Sequence, residues 1–300
     1  MNYDCLIIGG GIAGLQAAIQ LGRYKHRVLV IDAGGGRSGI CKSYHNILGY
    51  PDGVSGQTLR DIGKKQAENL GVQFVKGKAV KAQTEGDNFI IKLESGESYK
   101  STRLLLATGV MDRIPPIPGI MPCLGTSIYV CPDCDGYEVL NKKTIVIGSG
   151  NAGANKALTI AYWTTDIIMI NHEEEMPDEA LQKQLHRKGI KLIQAEILEV
   201  LSEGDAFQGV LLKNGERLYA EKGFLGFGGT AVHSSLAEQL GAEIMENKHI
   251  IVNARTKMTN VPNVWAIGDV IAHSEQVTIA MGDGSQAGIW IHKSLMPNQK

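Results

Sequence analysis

The sequence predicts an α/β chain made of two like domains, and three observations carry that expectation. Two stretches each read strand, glycine-rich turn, helix, strand. Each is followed by a run of short alternating strands. The 300 residues also suit two domains of about 100–200 residues each.

The first stretch is "YDCLIIGGGIAGLQAAIQLGRYKHRVLVIDAGG". Apolar residues fill positions 5–8, as in a strand buried on both faces. Gly9, Gly11 and Gly14 follow with the spacing G-x-G-x-x-G, ahead of the helical "LQAAIQLGRY". The next strand, "RVLVID", ends in Asp32, 23 residues after Gly9. Glycines let the backbone approach a pyrophosphate, a helix N-terminus stabilises its charge, and the acid accepts from ribose hydroxyls. The stretch is therefore expected to be a Rossmann-like dinucleotide site. "KAVKAQTEGDNFIIKLESGESYKSTRLLLATG" then alternates as β segments around turns. The proline-rich "RIPPIPGIMP" at 113–122 is expected to be a linker.

The pattern recurs in "KTIVIGSGNAGANKALTIAYWTTDIIMINHEEE". Gly148, Gly150 and Gly153, with Asn151 between them, lie after a strand and before a helix. The strand "DIIMIN" leads to Glu173, 25 residues after Gly148, the acid expected at the ribose of this second site. "AEILEVLSEGDAFQGVLLKNGERLYAEKGFLGFGG" repeats the β run, "VPNVWAIGDV" closes a strand on Gly268 and Asp269, and a long helix is expected after Gln276.

Composition excludes several classes. A hydrophobic share of 43% and a charged share of 20% are ordinary for a globular protein, and a net charge of -1 lacks the basic footprint of a nucleic-acid binder. No apolar run approaches the ~20 residues of a membrane span, and "MNYDCLIIGGGIAG" has no basic n-region or apolar h-region. The expectation is a cytoplasmic protein without a membrane span. Five cysteines without an export signal do not suggest a stapled secreted fold.

Cys131 and Cys134 form "CPDC" just before the second glycine turn. Such a pair holds a metal, stays as two buried thiols, or exchanges electrons. Zinc needs four ligands, and only Cys41 with His45 offers a second pair, so no metal is expected. Upstream "TSIYV" reads as a strand, and Pro132 suits the first helical position. Cys131 is then an N-cap, where free N–H groups favour the thiolate that thiol–disulfide exchange requires. His45 and His233 are weaker candidates, since an isolated histidine is more often a hydrogen-bonded structural residue.

Over nearly its whole length the chain resembles the low-molecular-weight thioredoxin reductase group of flavoprotein disulfide reductases. The carriers are both glycine turns, "LLLATG", "CPDCDG", "AIGDV" and "GDG", with the cysteine pair inside the second domain. The resemblance implies two Rossmann-like, three-layer ββα domains, the second inserted in the first. Residues 1–114 and 245–300 would bind FAD, and 115–244 would form the second dinucleotide-binding domain. It assigns Gly9, Gly11, Gly14 and Asp32 to adenosine and pyrophosphate, and Asn46, Ala107, Gly109, Asp269, Gln276 and Val277 to the rest of FAD. Glu275 stands where the group has arginine, and Arg37 in place of its glutamine. It further implies that Cys134 lies nearer the flavin, that Cys131 attacks the partner's disulfide, that Asp135 transfers protons, and that the protein is a homodimer.

NADPH-using members hold the 2′-phosphate with His and Arg after the second domain's strand, where this chain has "INHEEEMPDE". A doubly charged phosphate beside Glu173, Glu174 and Glu175 is opposed by Coulomb repulsion, so NADPH is disfavoured. The same glutamates also suit the first turn of the following helix. NADH, a second FAD, and reduced ferredoxin stay open as donors. The leading expectation is a disulfide oxidoreductase acting on a thioredoxin-like protein. A small-molecule dithiol oxidase and a non-enzymatic flavin-binding regulator are the rivals.

Overall fold

The computed structural model describes residues 2–296. The first elements are β1 (Asn2–Ile8), α1 (Ile12–Arg23), β2 (Val28–Asp32), α2 (Gly56–Asn69), β3 (Gln73–Lys76), β4 (Ala79–Glu85), β5 (Asn88–Leu93), β6 (Ser98–Leu106) and β7 (Val110–Met111). Next come α3 (Ile120–Cys123), β8 (Ile128–Tyr129), α4 (Pro132–Asp135), β9 (Thr144–Gly148), α5 (Gly150–Ile160), β10 (Ile167–Asn171), α6 (Glu179–Arg187) and β11 (Lys191–Gln194). The strands β12 (Ile197–Glu203), β13 (Ala206–Leu212), β14 (Arg217–Tyr219), β15 (Lys222–Gly226) and β16 (Ala231–Val232) follow. After them are α7 (Ser235–Gln239), β17 (Val264–Ala266) and α8 (Val277–Leu295), the last beginning directly after Gln276.

Contacts divide the chain into two compact units. Unit 1 takes in the chain up to Gly39, Ser55–Met111 and the chain from Ala231; unit 2 takes in Ile40–Val54 and Asp112–Thr230. Residues 231–244 thus group with the first unit, because β16 pairs with β7, and Leu236 and Ala237 enter its core. Ile40–Val54 groups with the second: Lys42 N–H donates to the Gly125 carbonyl at 3.2 Å, and Ile40 packs among that unit's apolar residues.

In unit 1 the parallel strands run β3-β2-β1-β6. Along one edge of β6, Ser98–Ser101 pair antiparallel with β5, while Leu104–Leu106 pair parallel with β17. Alternate residues of the sheet point to opposite faces. Leu6, Ile8, Leu29, Ile31, Leu104 and Leu106 pack against Phe89, Ile91 and Leu93 of the antiparallel layer. Ile7, Val30 and Leu105 are buried on the other face, and α1 packs against α8.

Unit 2 repeats the plan with a parallel sheet β11-β10-β9-β15-β8 and an antiparallel layer β12-β13-β14. Ile145 and Ile147 of β9 face that layer; Val146 faces Ala154, Ala157 and Ile160 of α5. Each unit is thus a three-layer Rossmann-like α/β body, as the two glycine turns predict. The registers match as well: Ile8 pairs with Ile31, and Ile147 with Ile170. Asp32 and Asn171 are the next residues along, at the ends of β2 and β10. Among the described residues, no helix is long and apolar enough to cross a membrane.

Candidate functional site

The glycine turn of unit 1 is shaped by close backbone packing. Gly9 has φ of 111°, and a Cβ there would stand 2.2 Å from the Ala107 carbonyl oxygen. A Cβ on Gly14 would stand 2.0 Å from the Gly9 carbonyl oxygen. Gly11 differs, because nothing lies within 4 Å of its Cβ position. The Gly10 N–H donates to Asp32 Oδ1 at 3.0 Å, and Arg60 donates to Asp32 Oδ2 at 3.0 Å. A carboxylate has about four lone-pair sites, so Asp32 can accept further bonds beside these two. Gly109 has φ of 65°, and its carbonyl accepts from His233 N at 3.1 Å. Thr108 donates to the His233 carbonyl at 2.7 Å, which gives His233 structural partners.

The loop before α8 is a charge network in the same unit. Arg37 donates to Glu275 and lies 3.5 Å from Asp269 Oδ2. Burial pushes the Asp269 carboxyl above its ordinary value, against the pull of Arg37. Buried Asp283 accepts from the Gly268 N–H at 3.1 Å, and meets His273 Nε2 at 2.7 Å and Lys257 Nζ at 2.8 Å. Burial alone would raise the Asp283 carboxyl, but hydrogen bonds from His273 and Lys257 hold it below its ordinary value. This triad anchors Gly268, the residue before Asp269.

In unit 2, Cys131 is the N-cap of α4 with extended backbone, and Pro132 stands at the first helical position. The Asp135 N–H donates to the Cys131 carbonyl at 3.0 Å. A single turn has little summed dipole, so the helix macrodipole contributes little at Cys131. Lys156 Nζ fixes the Val130 carbonyl at 2.7 Å, just ahead of Cys131. Lys222 donates to the Tyr129 hydroxyl at 2.8 Å, and burial pushes its ammonium below the ordinary lysine value. Trp163 packs against Gly136, where a Cβ would come within 2.6 Å of the indole. Cys5 and Cys123 are buried thiols. Cys41 feels the charges of Asp135 and Cys131, but burial first of all pushes its thiol up to about 12.

The second glycine turn keeps the spacing of the first and not its shape. Gly150 has φ of 52°, and its N–H donates to Asn171 Oδ1 at 2.7 Å. Asn171 is fully buried, and its Nδ2 donates to the carbonyls of Glu173 and Glu175 at 2.9 and 2.8 Å and to Gln194 Oε1 at 2.6 Å. Asn151 donates to Asp178 Oδ2 at 2.7 Å and accepts from Asp178 N at 2.8 Å. Arg113 donates to both carboxylate oxygens of Glu173 and holds that carboxyl below its ordinary value. His172 Nδ1 accepts from Ile197 N at 2.9 Å, and burial pushes the imidazole below its ordinary value.

Residues 3–284 match the family described as pyridine nucleotide-disulphide oxidoreductase. The chain belongs to that family. It is 30% identical to a thioredoxin reductase of Treponema pallidum over 95% of both chains. It is 28% identical to that of Aquifex aeolicus, over 99% of this chain and 95% of the relative. A solved thioredoxin reductase of Streptococcus pyogenes superposes with a TM-score of 0.88 at 25% identity, over 98% of each chain. The protein is thus a thioredoxin reductase-like flavoprotein disulfide reductase, a flavin-dependent oxidoreductase acting on a disulfide. Membership of the pyridine nucleotide-disulphide oxidoreductases implies FAD and a pyridine nucleotide.

The structure of this disulfide reductase brings most of the expected residues together within their units. Gly9, Gly11, Gly14, Asp32 and Ala107 surround the first turn; Arg37 and Asp269 share one network with Glu275, and Gln276 caps α8 ahead of Val277. Asn46 lies in Ile40–Val54, which groups with unit 2. The residue in register with Asp32 is Asn171, not Glu173, whose carboxylate is taken by Arg113. Equal spacing could have found it, since Asn171 also follows its first glycine by 23 residues. Arg60, Arg113, Lys156 and Lys222 carry no motif, and only folding brings them to these sites.

Proposed function

We propose that the chain passes two electrons from FAD through Cys131 and Cys134 to the disulfide of a thioredoxin-like protein. The observation supporting this is Cys131 at the N-cap of α4 with Cys134 within the same helical turn. Gly11, open to approach, and Asp32 would hold the pyrophosphate and adenosine ribose of FAD. Asp269, Gln276 and Val277 would meet its ribityl chain and ring. When bound, FAD supplies the two-electron couple that returns the cysteine pair to its dithiol form.

The Cys131 thiolate attacks one sulfur of the partner's disulfide, forming a mixed disulfide and releasing the partner's other sulfur as a thiolate. Cys134 then attacks Cys131, closes the Cys131–Cys134 disulfide and releases the second partner thiolate. The partner gains two electrons and two protons; Asp135 supplies one proton and solvent the other. Lys156 holds the Val130 carbonyl and so fixes where the strand ends and Cys131 begins.

Charge favours NADH over NADPH as the nucleotide. Burial lowers the His172 pKa and so disfavours its charged form, and Arg113 is already paired with Glu173. Burial of Asn171, the residue in register with Asp32, favours a second reading, in which reduced ferredoxin rather than a dinucleotide in unit 2 delivers the electrons. Stopped-flow mixing with NADH, NADPH and reduced ferredoxin, followed by flavin bleaching, separates these donors. Full thioredoxin turnover by Cys131→Ser would end the dithiol reading.

A further inference from the structure

Unit 2 has the glycine spacing of a dinucleotide site and lacks its opening. Nothing stands within 4 Å of a Cβ built on Gly11, whereas Glu175 Cγ, Cδ and carbonyl oxygen each lie 3.6 Å from the same point on Gly150. The turns are wound differently too: Gly11 has φ of -76° and Gly150 of 52°. In unit 1 the strand-end side chain takes the N–H of Gly10; in unit 2 it takes that of the middle glycine, Gly150.

Three ties hold the covering loop in place. Asn171, with no exposed surface, donates to the carbonyls of Glu173 and Glu175. Asn151 and Asp178 clasp each other through two bonds, from the first turn of α5 to the end of the loop. Arg113 grips Glu173 from the segment ahead of α3. A pyrophosphate at a helix N-terminus needs the backbone N–H groups there and a space free of other anions. Here one of those groups is spent on Asn171, and a glutamate side chain lies across the space.

We infer that residues 172–178 are a built-in stopper that closes the second glycine turn, with Glu175 as the residue that excludes a pyrophosphate. The inference rests on reading unit 2 as the family's second dinucleotide unit. It goes further than charge selection. Carboxylates at the ribose reject only the 2′-phosphate of NADPH, whereas a closed turn rejects NADH and FAD alike.

The test is a calorimetric titration of the FAD-loaded protein with NADH, using the natural sequence, Glu175→Ala, Asp178→Ala and Glu174→Ala. Removing the stopper side chain or its clasp is expected to tighten NADH binding at least about tenfold, and Glu174→Ala by no more than about twofold. Glu174 serves as the control because it carries the same charge, and its substitution leaves the covering residue intact. NADH binding by the natural protein as tight as by Glu175→Ala overturns the inference. So does equal tightening by Glu174→Ala and Glu175→Ala, which would make bulk charge the cause. The same samples, reduced with dithionite, are assayed for transfer to a thioredoxin disulfide. Failure of that transfer overturns the dithiol reading and leaves the NADH comparison standing.

Discussion

Arg37 and Glu275 form an ion pair, and the same guanidinium nitrogen lies 3.5 Å from Asp269 Oδ2. The thioredoxin reductase group has arginine at the position of Glu275. Here the acid stands at that position and the base comes from the 3-10 turn Arg37–Gly39, where the resemblance implies a glutamine, so an ion pair replaces a lone arginine and the local charge is lower by one. Both side chains are less than one-third exposed, so solvent screens the pair only in part.

A double-mutant cycle of Arg37→Gln and Glu275→Gln, measured by urea unfolding, is expected to give a coupling of about 1 kcal/mol or more. A coupling near zero would mean that the two charges do not act as a pair. Glu275→Arg alone places two cations beside one another and is expected to weaken FAD retention, with Arg37→Glu restoring it in the double exchange.

Asn171→Ala removes the acceptor for Gly150 N–H and the donor for three oxygens inside a buried site. Unsatisfied buried groups make this costly, about 2–4 kcal/mol of unfolding free energy. A loss under about 0.5 kcal/mol in denaturant titration would show that the loop is not held by this side chain.

His273 and Asp283 set a pH window for unit 1. The hydrogen bond to Asp283 raises His273 above its ordinary 6.5, so its contribution is full below that value and fades as pH rises through the folded-state pKa. Asp283 lies below its ordinary 3.8, so its contribution is present above that value and fades as pH falls through the folded-state pKa. The melting-temperature difference between the natural protein and His273→Gln should be largest near about pH 5–6 and shrink by about pH 9. A difference that grows with pH would reverse the assignment.

Cys41 is expected to be inert. With its thiol pushed up to about 12, only about one molecule in 10⁵ carries the thiolate at pH 7. Brief alkylation with iodoacetamide of the reduced protein at pH 7, read by peptide mass spectrometry, should modify the Cys131–Cys134 pair and spare Cys41. Cys41→Ser should retain thioredoxin turnover. Labelling of Cys41 at a rate equal to Cys131 would contradict this.

The elements written in local periodicity were legible in the sequence. Apolar runs before each glycine turn marked β1 and β9, Pro132 marked the start of α4, and Gln276 the start of α8. The details that pair distant residues were not. Nothing local links Arg37 to Glu275, or Cys41 to the pair at 131 and 134. An acid is expected at the ribose, which singles out Glu173, whereas strand register matches Asn171 to Asp32. The shape of the second turn was hidden for the same reason, since spacing records which glycines are present and not which way they are wound.

The divided edge of β6 has a consequence for synthesis. Every residue of unit 2 precedes Ala231, so that body can close while the chain is still emerging from the ribosome. Unit 1 cannot. Until Val264–Ala266 leaves the exit tunnel, Leu104–Leu106 present an unpaired, wholly apolar strand border, and α1 lacks its neighbour α8. The nascent protein is therefore most exposed to misassociation in the interval between completing its inserted half and receiving its last strand.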